Sequence, residues 1–171
     1  MIEVADVEAS IKTDRLELIP LVRSHAEQLF AVLSDVSLYE YTHETPPSSL
    51  SSLRDRYTLL QSRRSPDGTQ VWLNWLLQEF GSGEAVGCVQ ATVTSGEADV
   101  AWVVGVPWQR KGYATEAARA MILWLMSAGV GVIRAKINST HSASQRVAVK
   151  VGFSPSEEVV DGEQVWIMAA V

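Results

Sequence analysis

Between residues 104 and 114 the chain reads Val104-Gly105-Val106-Pro107-Trp108-Gln109-Arg110-Lys111-Gly112-Tyr113-Ala114, a turn set between an apolar run and an amphipathic stretch. A helix starting at such a turn presents successive N–H groups, and the positive end of its dipole, to whatever lies in front of it. Gly112 and Ala114 leave room for an anion to reach the main chain, and Arg110 and Lys111 add charge of the matching sign. The chemistry on offer is the holding of a phosphate or diphosphate. Taken by itself, the turn fits equally an ordinary strand-to-helix connection carrying two exposed bases. Two familiar phosphate sites are excluded. No Gly-Lys-Ser or Gly-Lys-Thr follows a glycine-rich run, and no Gly-x-Gly-x-x-Gly follows a first strand, so neither a nucleoside triphosphate hydrolase nor a dinucleotide-binding domain is supported.

The elements that would position this loop belong to one domain. At 171 residues, 47% hydrophobic and 20% charged, residues 1–171 suit a single compact unit that buries roughly 70% of its unfolded surface without disulfides or a structural metal. Cys88 is the only cysteine, which excludes a disulfide framework and a thiolate zinc site, so no metal is expected; a reducing, cytoplasmic setting follows most simply. Lysine and arginine total 14 against 20 acids, a net charge of −6. That balance argues against nucleic acid as a partner. The first ten residues are acidic, lack an apolar h-region and read as poorly ordered, which speaks against a signal peptide. The apolar run Met121 to Met126 is far below the ~20 residues of a membrane span.

Period-two alternation marks a strand at Arg15 to Leu21, with Pro20 suggesting an edge position. Ser24 and Glu27 have capping-box spacing ahead of a helix ending near Asp35. A loop from Tyr39 to Ser49 precedes a helix carrying Leu50, Leu53, Tyr57 and Leu60, and Ser65-Pro66-Asp67-Gly68 turns the chain. Strands at Val71 to Phe80 and Glu84 to Thr94 form a meander. The strand from Asp99 to Val106 is apolar on both faces and therefore central. Gly112 opens a helix with one apolar stripe, and Gly129 ends it. Val132 to Asn138 is a strand, Ser142 and Gln145 give a second capping-box spacing for a helix ending at Gly152, and Val159 to Val171 closes as a hairpin around Asp161-Gly162. The result is an α/β chain with an antiparallel first half and a parallel strand-helix-strand unit from Asp99 to Asn138.

The Gln109-x-x-Gly112-x-Ala114 spacing resembles the acyl-CoA pyrophosphate loop of the GCN5-related N-acetyltransferase (GNAT) superfamily. A second block, Ala143-Ser144-Gln145-Arg146-Val147-Ala148-Val149-Lys150-Val151-Gly152-Phe153, is similar to that superfamily's final helix. With the element order from Thr13-Asp14-Arg15-Leu16 onward, the resemblance covers nearly the whole chain and is nearest to the ribosomal-protein N-terminal acetyltransferase branch. It implies a mixed central sheet flanked by about four helices, with splayed parallel strands at a cofactor groove. The implied activity is direct transfer of acetyl from acetyl-CoA, the co-substrate, to a primary amine, by a monomer or homodimer.

The resemblance also implies roles. Main-chain N–H groups of Arg110, Lys111, Gly112, Tyr113 and Ala114, with Gln109 and Thr115 beside them, hold the pyrophosphate, and the main chain of Trp102, Val103, Val104 and Val106 follows the pantetheine arm. An N–H near the end of the central strand, nominated as that of Val104, faces the thioester oxygen. The superfamily's usual thiolate-protonating tyrosine is replaced by Ala148, which leaves Ser144 as the candidate acid; a serine there equally serves as a helix cap. His141 stands where an asparagine is usual, and either binds pantetheine or faces solvent. Candidates to take the amine proton are Asp99, Glu97, His43 and Glu44, with ordered water as the alternative. Tyr39, Tyr41, His43, Trp72, Asn74 and Trp75 would frame the acceptor, although Trp72 and Trp75 also suit a core. Cys88 suits a small core residue better than an acyl carrier. The competing functional class is a CoA-binding module without catalysis, motivated by Ala148 and His141; a plain scaffold would bind no CoA.

Overall fold

In a computed structural model of the protein, residues 8–169 are described. The predicted disorder of the first ten residues therefore falls mainly on residues 1–7, outside the described residues. Eight strands form one mixed sheet: β1 (Ile11–Lys12), β2 (Leu16–Pro20), β3 (Val71–Glu79), β4 (Ala85–Thr94), β5 (Glu97–Val104), β6 (Val132–Asn138), β7 (Ser154–Val160) and β8 (Glu163–Ala169), in the order β1-β2-β3-β4-β5-β6-β8-β7. Four α-helices accompany them among the described residues: α1 (Ala26–Leu33), α2 (Leu50–Leu60), α3 (Tyr113–Ser127) and α4 (Ser142–Val151). Every neighbouring pair is antiparallel except β5 and β6. This is the mixed, centrally parallel sheet expected from the sequence.

Strand register decides which side chains share a face. Leu73, Ala91 and Val100 stand in one row, and Trp75, Val89 and Trp102 in the next. These rows pack on Ala117, Met121, Ile122 and Leu125 of α3 to form the larger core. The opposite face carries Leu76 and Cys88, and there α1 and α2 build a smaller core from Leu21, Ala26, Leu29, Leu53 and Tyr57.

Three local expectations are corrected. Pro20 does not mark an edge strand, because β1 lies outside β2; β1 reaches only Glu17 and Leu18, so Pro20 sits beyond its end. Ser24 and Glu27 form no capping box: Arg23–His25 is a 3-10 turn, the Val22 N–H donates to His25 Nδ1 at 3.2 Å, and α1 begins at Ala26. Ser142 does not cap α4 either, since His141 is its N-cap and Gln145 Nε2 donates instead to the Ser139 carbonyl at 2.9 Å. A reciprocal serine box does start α2, where Ser49 and Ser52 exchange bonds of 3.0 and 3.1 Å. Strand ends also move: β5 begins at Glu97 and β7 at Ser154.

Candidate active site

The two parallel strands meet only briefly. Glu97, Ala98 and Asp99 pair with Val132, Ile133 and Arg134, and no pairing follows. The Gly105 N–H donates to the Val86 carbonyl at 2.8 Å, which makes that pair a hydrogen-bonded rung of the β4–β5 ladder. By alternation, Asp99, Ala101 and Val103 turn their main-chain groups toward β4 as well, while Val100, Trp102 and Val104 turn theirs toward the space left by β6. Trp102 and Val104 thus present a free strand edge to the gap. Val103 is turned the other way, paired with Cys88, so its expected main-chain contact with pantetheine is corrected. The Val104 carbonyl is engaged by Gln109 Nε2 at 3.0 Å, leaving the Val104 N–H as the donor.

Beyond Val104 the chain makes a 3-10 turn, Val106–Trp108, and enters α3 through Gly112. Gly105 is required here, because a Cβ would lie 2.8 Å from Val32 and 2.9 Å from the Trp108 ring. Gly112 is the N-cap of α3 with φ 85°, a left-handed conformation that carries little cost only for glycine. The first helical N–H with an intrahelical partner is that of Glu116, which donates to the Gly112 carbonyl at 3.0 Å. The preceding amides, from Arg110 to Thr115, donate no main-chain hydrogen bond among the described residues. They are the unsatisfied donors that every helix start leaves; Arg110, Lys111 and Gly112 are exposed, Ala114 and Thr115 half-buried and Tyr113 buried.

Under this mouth lies a network that the sequence patterns did not reveal. Glu116, in the first turn of α3, accepts from Thr13 Oγ1 at 2.7 Å, from the Arg15 N–H at 2.9 Å and from Arg15 Nε at 2.7 Å. Burial alone would push the Glu116 carboxyl up, but these bonds and the Arg15 charge together hold it below its ordinary range. Arg15 also donates to the Lys111 carbonyl at 2.9 Å and lies 4.5 Å over the Tyr113 ring. The Tyr113 hydroxyl donates to Glu79, a bond that raises the tyrosine pKa and lowers that of the carboxyl.

At the far side of the gap, His141 ends the β6–α4 connection. Its ring stacks on Tyr41, centroids 4.4 Å apart and planes 16° from parallel. Burial lowers the His141 pKa against a smaller opposing pull from Glu40, so the imidazole is neutral near pH 7. Ser144 and Ala148 are four residues apart on one face of α4; Ser144 is half-buried at the open end, and Ala148 is fully buried in the larger core. His43 Nε2 lies 2.9 Å from the Asp161 carbonyl, so it carries the proton and donates. The Tyr41–His43 segment thereby bridges to both α4 and the β7–β8 turn.

The remaining acceptor candidates divide between the two faces. Trp72 shares a row with Thr92 and Asp99, and Asn74 with Gln90 and Ala101. Gln90, Glu97 and Asp99 are exposed, so the helices leave this part of the sheet open. Trp75 points to the other face, is 1% exposed and packs edge-on against Trp124 at 5.6 Å; it is a core residue, and its expected place in the acceptor pocket is corrected. The Tyr39 hydroxyl is engaged by the Leu33 carbonyl at 2.8 Å, and Trp72 Nε1 by Gln70 at 3.0 Å. Glu44 is exposed on the same loop as His43. Burial raises the Cys88 thiol to about 11, which leaves it protonated and poorly nucleophilic. No group of three or more His, Cys, Asp or Glu among the described residues is placed to hold a metal ion. No described helix is long and apolar enough to cross a membrane.

Residues 15–154 match the acetyltransferase (GNAT) domain family. The chain belongs to the GNAT acetyltransferase family. Its fold is shared with RimJ of Mycobacterium smegmatis in complex with CoA-disulfide, at 16% identity and a TM-score of 0.79, covering 96% of this chain and 89% of that one. RimL, the ribosomal L7/L12 α-N-protein acetyltransferase in complex with coenzyme A, is similar at 18% identity and 0.77 over 94% and 98%. The microcin C7 self-immunity acetyltransferase MccE, in complex with acetyl-CoA and AMP, is similar at 15% identity and 0.77 over 92% and 94%. Among curated proteins, none matches the sequence. Thr13, just ahead of the matched residues, and Arg15, Glu79 and Glu116 within them join the candidate loop residues. The Thr13-Asp14-Arg15-Leu16 block was the one sequence signal pointing toward them.

Proposed function

We propose that the protein is an acetyl-CoA-dependent N-acetyltransferase acting on a primary amine, a peptide N-terminus or a small-molecule amine, with both substrates bound together across the β5–β6 gap. The observation that carries this reading is the continuity of two sets of unsatisfied main-chain groups: the free edge of β5 at Trp102 and Val104 leads directly to the free amides before α3. An extended chain ending in a diphosphate fits that line of donors and acceptors. Bound acetyl-CoA would supply an acyl group already activated as a thioester.

The chain's own residues supply the rest. Amides from Arg110 to Thr115, with the Arg110 and Lys111 charges, hold the diphosphate. The Val104 N–H, fixed by its strand, faces the thioester oxygen as negative charge gathers there, an interaction worth about 3 kcal/mol in comparable sites. The Ser144 hydroxyl stands at the open end of α4 to pass a proton to the departing sulfur. Asp99, exposed on the uncovered sheet face, receives the amine proton through ordered water, because five residues of strand, about 16 Å, separate it from Val104. The fold shared with RimJ and RimL supports a peptide N-terminus as one acceptor class. A cytoplasmic location, inferred from the single cysteine, belongs to the same proposal.

A second reading, cofactor binding without catalysis, is favoured by one observation: the position of the usual tyrosine is a fully buried alanine, Ala148. Thiol release measured against peptide N-termini, polyamines and amino acids separates the two. Turnover with any acceptor supports transfer, whereas saturable acetyl-CoA binding with none across the panel establishes the second reading. Ser144→Ala should then lower kcat about 10- to 100-fold with little change in the KM for acetyl-CoA; unchanged turnover removes Ser144 from the proton path.

A further inference from the structure

We infer that Arg15 is a positioning residue for the cofactor loop, acting through Glu116. The inference rests on the diphosphate reading of the α3 mouth given above. Glu116 docks the β1–β2 turn onto α3 by accepting from Thr13 Oγ1 and the Arg15 N–H, which is a structural gain. It also sets a carboxylate within about one helical turn, ~5.4 Å of rise, of the amides that would hold an anion. An unneutralised charge there would oppose the diphosphate.

Arg15 answers both needs. Its Nε and NH2 groups meet the same Glu116 oxygen, at 2.7 and 2.6 Å, and NH1 donates to the Lys111 carbonyl at 2.9 Å. All three guanidinium nitrogens are thus engaged by protein groups, and the plane is held against the Tyr113 ring. Arg15 therefore acts on the loop: it cancels the Glu116 charge and fixes the Lys111 peptide just before Gly112. The guanidinium lies 3.4 Å from the place a Gly112 Cβ would take, so the neutralised pair sits directly behind the mouth.

The test compares CoA with acetyl-pantetheine, which lacks the diphosphate, by calorimetric titration of the full chain. Arg15→Gln should bind CoA about tenfold more weakly at low ionic strength, by repulsion from the uncancelled Glu116 charge. The deficit should shrink in 1 M salt, where the screening length is ~3 Å. Acetyl-pantetheine affinity should stay within about twofold. Arg15→Gln combined with Glu116→Gln should recover most of the CoA affinity, and Arg15→Lys, which keeps the charge, should lose less than about threefold. A double variant as weak as the single one, or an equal loss for both ligands, overturns the charge-cancelling role, and so does an Arg15→Gln protein that binds CoA normally. CoA binding indifferent to Arg15 defeats this inference alone. An unaltered protein that binds no CoA defeats the reading of the mouth, and this inference with it.

Discussion

Replacing Gly112 with alanine separates the loop's conformational demand from its chemistry. At φ 85°, a Cβ costs about 1–2 kcal/mol, offset by about 0.4–1 kcal/mol because alanine narrows the unfolded ensemble. The net loss of folding stability is about 0.5–1 kcal/mol, which for a chain of this length lowers Tm by roughly 1–4 °C. Gly129 provides the control. It has φ 86°, lies just beyond the other end of the same helix, and a Cβ there meets nothing within 4 Å. Gly129→Ala should therefore show the same small fall in Tm. The two variants must diverge in cofactor binding. Relief of the strain at Gly112 rotates the first free amides of α3, and loss of one hydrogen bond to a charged group, worth about 1.5–3 kcal/mol, weakens CoA binding about 10- to 100-fold. Calorimetric titration with CoA, alongside thermal melts of both variants, gives the two quantities independently. Equal CoA affinity in Gly112→Ala and Gly129→Ala, within about twofold, would refute the argument that these amides form the cradle.

Gly87→Ala should destabilise the fold by about 3 kcal/mol or more, since its Cβ would come 2.1 Å from the Val103 carbonyl and 3.0 Å from Val104 Cα; a urea midpoint equal to that of the unaltered protein would contradict this. Burial, with the Arg63 charge as a lesser cause, lowers the His25 pKa, and burial lowers that of His141. The folded chain therefore resists protons that the unfolded chain accepts, so this stability is present above the ordinary imidazole value of about 6.5 and is lost as pH falls through it. Melts from pH 8 to 5 should fall more steeply for the unaltered protein than for His25→Gln combined with His141→Asn, and parallel curves would reject the assignment.

The features legible in the sequence were those whose causes are local. Gly112 and Gly129 bracket α3 because a left-handed residue is needed at each end, and the turn from Val104 to Ala114 carries its anion chemistry within eleven consecutive residues. Trp72 and Trp75 carry a local signal too: an odd spacing along a strand puts side chains on opposite faces, so the two do not line one pocket. The engagement of Val103 was hidden for a different reason, because which main-chain groups face the gap depends on the β4–β5 register. The capping-box spacings at Ser24 and Ser142 were overruled by other partners of their acceptor residues, the Arg54 guanidinium for Glu27 and the Ser139 carbonyl for Gln145. Longest in reach were His43 with Asp161, 118 residues apart, and Thr13 and Arg15 with Glu116, 103 and 101 apart; no periodicity encodes such pairs.

The gap itself follows from what its two strands already hold. β5 is paired with β4 along its whole length, and β6 with β8 along its own, so each can curve away with one ladder intact. Closing the gap by extending the present register would set Trp102 beside Ile137 on the larger core's face, where the Trp102 ring already packs at 6.4 Å from Phe153. Two bulky side chains with a third aromatic behind them act as a wedge against that closure. The Trp102 main-chain groups and the Val104 N–H are consequently left for water or a ligand, since main-chain N–H and C=O groups must find partners. Gln109 takes the Val104 carbonyl and with it the option of a strand partner there. What the sheet forgoes in hydrogen bonds along β5 is the surface along which an extended ligand with its own amides can bind.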